Sequence, residues 1–153
     1  MVLLNIKNGM LSGFVGCFLG LMLFSQANAS EITDDREVIW VSAKEKAMLL
    51  SDMRAFLVAS QKVLEANLAG DMKTVEEAAR LVGVKLFKDM PEDINAKFPI
   101  SFTMIGPRAY IGFEAIVYEA AGSGNREAIF SHLAQLQKNC IACHALFRFD
   151  VKK

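Results

Sequence analysis

The chain of 153 residues has three cysteines and two histidines, and that scarcity removes several chemistries at once. Cys17 lies within an apolar leader, so the remainder keeps only Cys140 and Cys143. A disulfide between residues so close in sequence would close little loop entropy, which argues against stapling as their purpose. A closed structural zinc site needs four ligands, and beyond Cys140, Cys143 and His144 only His132 remains with no further cysteine, so zinc is poorly supplied. A thioredoxin-like pair belongs beside a strand in a βαβ setting, and strand alternation is scarce here. Excess charge is missing too, with 17 Lys and Arg against 17 Asp and Glu. Such a balance gives no reason to expect nucleic acid or an anionic membrane as a partner. No long run of like charge, low-complexity tract or internal repeat is present.

Charge is nearly absent from the start of the chain, where Lys7 stands alone before Glu31. An apolar run from about Met10 to Phe24 follows, then Ser25-Gln26-Ala27-Asn28-Ala29. Small residues at Ala27 and Ala29 complete the three-part layout of a secretory signal peptide cut after Ala29. A retained membrane anchor is the rival reading, but the run is short for a spanning helix. The expected organisation is therefore a signal peptide over 1–29 and a single domain over 30–153, exported and without stable membrane anchoring after cleavage. The mature 124 residues are enough to bury a core without disulfides, and they carry 16 basic and 17 acidic side chains.

Helical periodicity fills most of that domain. The first helix is expected from about Asp34 or Ser42 to Ala69. Ala43, Ala47, Leu50, Leu57, Leu64 and Leu68 form its stripe, widened by Leu49, Met53, Phe56 and Val63. Gly70 suits the left-handed position after a helix, and Asp71 suits the cap of the next. A second helix is expected from Met72 to Phe87, weakened by Gly83, and a loop from Asp89 to Phe98. The third runs from near Pro99 to Ala121, with Gly106-Pro107 either kinking it or marking its true start. The fourth runs from Arg126 to Phe149 and presents Ile129, Leu133, Leu136, Cys140, Cys143 and Phe147 on one face. Four amphipathic helices with short connections predict an all-α, antiparallel four-helix bundle, in which the first helix faces the last.

Cys140-Ile141-Ala142-Cys143-His144 matches the C-x-x-C-H pattern for haem attachment. On a helix, positions i, i+3 and i+4 share one face. Two thiols can then form thioethers to the two vinyl groups while the adjacent imidazole binds iron. Covalent attachment also keeps the cofactor from diffusing away outside the cell.

With its motif near the C-terminus of a four-helix chain, and Phe147 and Arg148 following, the sequence resembles class II cytochromes c, the cytochrome c prime superfamily. The match spans most of 30–153, although only Cys140 to Arg148 is specific, and the stretch Glu31 to Val41 with Trp40 departs from it. The resemblance implies a periplasmic protein with one haem c, redox proteins as partners and a tendency to homodimerise. It implies a one-electron carrier rather than an enzyme if a methionine of the first helix binds iron. It implies a five-coordinate binder of small gases if an apolar side chain blocks that side. Met53 is the expected sixth ligand, Met48 the reserve and Leu50 the expected blocker. Arg148 is expected to pair with a haem propionate, since guanidinium matches a carboxylate's two oxygens. His132 lies about 18 Å along the helix from His144 and is too far to share the iron. A helical interaction domain without haem is the remaining alternative.

Overall fold

The computed structural model of the chain describes residues 33–152, so the expected signal peptide lies outside the described residues. Two short strands and seven helices follow one another as β1 (Glu37–Val41), α1 (Ala43–Ala69), α2 (Met72–Arg80), α3 (Val84–Lys88), α4 (Glu92–Asn95), α5 (Ile100–Thr103), α6 (Pro107–Ala121), α7 (Arg126–Leu146) and β2 (Phe147–Val151). The described chain is mostly helical. Among the described residues no helix is long and apolar enough to cross a membrane.

Local chemistry explains most boundaries. Ser42 opens α1 with a capping box: its Oγ accepts from the Glu45 amide, and the Glu45 carboxylate accepts from the Ser42 amide at 2.7 Å. Gly70 closes the helix at φ 75°, the left-handed conformation that glycine adopts without a Cβ penalty. Asp71 then caps α2 by accepting from the Thr74 amide, as the sequence predicts. The second helix is shorter than expected. It ends at Arg80, and a turn through Leu81 to Gly83 precedes α3. In the third region Gly106-Pro107 proves to be the true helix start, preceded by the single turn of α5. A Cβ at Gly106 would stand 2.8 Å from the Phe102 ring, so glycine lets that ring pack closely against the turn.

The last helix also stops early, at Leu146 rather than Phe149. The residues beyond it form β2, which pairs in parallel with β1 from Glu37↔Phe147 to Val41↔Val151. The predominance of helix agrees with the expected all-α class, and the departure is local: one short strand pair where the sequence predicts that the last helix continues. Phe147 and Phe149 are β2 residues, and Trp40 lies on β1.

Helix α1 packs on α2 and α7, and α6 packs on the same two. Helices α1 and α7 run in opposite directions. Lys46 meets Asp150 just past the end of α7, at 3.1 Å, while Asn67 donates to the Arg126 carbonyl where α7 begins, at 2.9 Å. The main core lies among these four helices, around Phe56, Val63, Val75, Phe113, Ile116 and Leu136. A second cluster lies under the strands: Ile39, Val41, Leu49, Ile94, Phe102 and Phe147.

The register of α1 differs from the expected stripe by one residue. Leu49, Phe56 and Val63 are buried, whereas Leu50 is 41% and Leu57 72% exposed. Two heptad series one residue apart share this helix, and the one facing α2 and α7 is the buried one.

Candidate functional site

A cavity of about 300 Å³ opens between the two hydrophobic clusters. Its volume falls at the lower end of the range for small-molecule and cofactor sites. Helix α7 supplies Cys140, Cys143 and His144 to its wall, and α1 supplies Leu49, Met53 and Phe56. The remaining wall is formed mainly by apolar and aromatic side chains from α3, α5, α6 and β2, among them Phe102 and Phe149. Asn95, Thr103, Tyr110 and Asn139 are its polar members.

The helical spacing of the motif puts Cys140, Cys143 and His144 into one wall. Both cysteines are free thiols and half-buried. Cys140 packs against the main core and Cys143 against the cluster under the strands, so the pair spans the seam between the two. Burial pushes both thiols above their ordinary pKa, and the Cys140 sulfur adds to the effect at Cys143. At neutral pH they remain protonated. His144 is exposed on the last turn of α7 and lines the cavity without joining the core.

The other expected site residues divide. Met53 is half-buried and lines the cavity. Counting back from Asn67 on α1 and forward from Arg126 on α7 sets Met53 level with Cys140 and Leu49 level with His144. Met48 packs against the second cluster and is not among the lining residues. Leu50 is turned to solvent, so the apolar side chain that reaches the cavity from this part of α1 is Leu49, 2% exposed. Arg148 lies on β2 outside the lining, with its Nη1 3.0 Å from Asp150 and its Nε 3.3 Å from Asp34. A propionate would have to compete with those two carboxylates. His132 is absent from the cavity wall.

Two further lining residues lie outside the stripes read from the sequence. Met90 follows α3 and packs against both clusters, so a second thioether faces the same space. Tyr110 is buried on α6 next to the Phe56 ring, with centroids 5.0 Å apart. Burial, with a smaller contribution from Asp52, pushes its phenol up to about 12, so it stays un-ionised as a hydrogen-bond donor.

The donor set fits a covalently held haem. Two thiols and an imidazole converge from one helix face on an apolar cavity, and a thioether stands on the facing helix. The chain matches no protein-family model, no curated protein and no solved structure.

Proposed function

We propose that this protein is an exported c-type cytochrome that carries single electrons on one haem c. Cys140 and Cys143 would attach the group, and His144 would bind its metal. The observation that carries this reading is the presence of both thiols, His144 and Met53 in the wall of one apolar cavity. In the same reading the four longer helices form an antiparallel four-helix bundle of the cytochrome c prime kind. The opposed course of α1 and α7 supports that arrangement. Placement in the periplasm and the use of redox proteins as partners follow from the resemblance.

Haem, when bound, supplies an iron that takes up and gives back one electron. The chain does the rest. Cys140 and Cys143 would hold the group through their sulfurs, as two thioethers. His144 supplies a nitrogen to the metal. Leu49, Phe56 and Phe102 exclude water, which strengthens electrostatic interactions around the metal. Met53 is our assignment for the sixth ligand, and a Met/His pair raises the reduction potential relative to histidine alone. Little motion is needed, because the main cavity wall is built from packed helices.

A second reading is five-coordinate iron that takes small gases, with Leu49 as the blocking residue. The nearly complete burial of Leu49 in the same wall favours it. Absorption spectra of the purified exported protein in both oxidation states, with and without carbon monoxide, separate the two. Bound methionine leaves the reduced spectrum unchanged by carbon monoxide. A strong shift assigns the site to gas binding, and no haem spectrum in protein from a competent host refutes both.

A further inference from the structure

The end of α7 that carries His144 is held from an unexpected direction. The last carbonyls of any helix lack intrahelical partners. In α7 the Cys143 carbonyl accepts from the Phe147 amide, while the His144 carbonyl accepts from Arg36 Nη1 at 3.4 Å. Arg36 comes from the segment just before β1, 108 residues away in sequence. Its guanidinium is fixed in turn by Asp34, with Nε to Oδ1 at 2.8 Å and Nη2 to Oδ2 at 2.7 Å. A cation there also suits the negative end of the helix dipole.

The contact does not stand alone. Asp34 also approaches Arg148 Nε at 3.3 Å, and Arg148 pairs with Asp150, which pairs with Lys46 on α1. Immediately after Arg36, β1 pairs in parallel with β2 along its whole length, starting at Phe147, three residues past His144. Ile39 and Val41 are buried beneath it against Phe102 and Phe147. The strand and its leading pair of charges therefore contact the turn that bears His144.

We propose that residues 34–41 form a strap that fixes the last turn of α7, with Arg36 as a positioning residue for His144. This rests on the haem reading for its chemical consequence, but not for its structural part. Through the His144 backbone, the strap limits rotation of the turn and so would set how the imidazole is presented to a bound metal.

The test compares Arg36→Ala and Arg36→Lys in the full chain. Arg126→Ala is the control, because Arg126 caps the Asn67 and Leu68 carbonyls at the end of α1, far along the sequence from the strap. Hydrogen exchange is read on the purified chain whether or not it carries haem. Arg36→Ala is expected to speed exchange over 144–149 about tenfold, with Arg126→Ala leaving those amides unchanged. In haem-loaded protein Arg36→Ala is expected to shift the reduction potential and the ferric spectrum, and Arg36→Lys to restore most of both. Unchanged exchange over 144–149 overturns the strap. Faster exchange with an unchanged potential and spectrum overturns the positioning role. Should the wild-type chain take up no haem, the functional reading fails and the positioning role with it, while the exchange arm still decides the strap.

Discussion

Single side chains decide the chemistry. Met53→Ala separates ligand from filler: it is expected to abolish the methionine-to-iron charge-transfer band and let carbon monoxide bind the reduced protein. The reduction potential should fall by a sizeable fraction of the roughly 0.8 V that axial ligands span. Leu49→Ala should behave oppositely. Removing a buried leucine costs about 2–5 kcal/mol of stability, read by chemical denaturation, yet should leave that band in place. If Met53→Ala leaves the band intact, Met90 inherits the role, because it is the other methionine in the cavity wall. The sequence exposes the three motif residues clearly, since a helix turns their spacing directly into a shared face. It hides Met90 and Tyr110, whose arrival at the cavity depends on how the segments around them pack. It suggests Leu50 over Leu49 because periodicity alone does not say which of two adjacent stripes faces inward.

At the scale of elements, the helix caps were legible and the strand pair was not. Ser42, Gly70 and Asp71 act within a few residues of themselves, and local chemistry predicts them. Parallel strands instead need a long crossover, and here it comprises all the helices. Only in retrospect do the alternating Phe147, Phe149 and Val151 fit a strand, because helical periodicity upstream draws them into α7. Ile39 tests what the pairing contributes. It is 2% exposed, and Ile39→Ala is expected to lower stability by about 2–4 kcal/mol in denaturant titration. A change below about 0.5 kcal/mol would mean the strand adds nothing.

Acid should act on the same elements. Lys97 and the Ser42 amide hold Glu45 at about 2, against an ordinary 4.5. Arg36 holds Asp34 at about 2, and the Val151 amide with Lys46 and Arg148 holds Asp150 there, both against 3.8. A carboxyl whose pKa is lower folded than unfolded adds stability above its unfolded value and loses it as pH falls through the folded one. Denaturation midpoints should therefore decline between about pH 4.5 and 2, with hydrogen exchange at the strand pair and the start of α1 quickening first. A flat profile across that window would remove these ion pairs from the account.

Over the described residues, the helices surround a main core, the paired strands β1 and β2 cover a second cluster, and the cavity lies at their junction. The two thiols contact one cluster each, so attachment of a cofactor there would be coupled to the docking of both. A bound group that favours the folded chain raises stability by linkage. The haem-loaded protein should accordingly resist denaturant better than a Cys140→Ala, Cys143→Ala chain, by several kcal/mol if attachment completes both clusters. The measurement closest to the central claim is the intact mass of the chain purified under denaturing conditions from a host able to mature c-type cytochromes. The polypeptide should be heavier than its amino acids by one haem, and the double alanine variant should not. A wild-type chain with the mass of its amino acids alone would contradict the account.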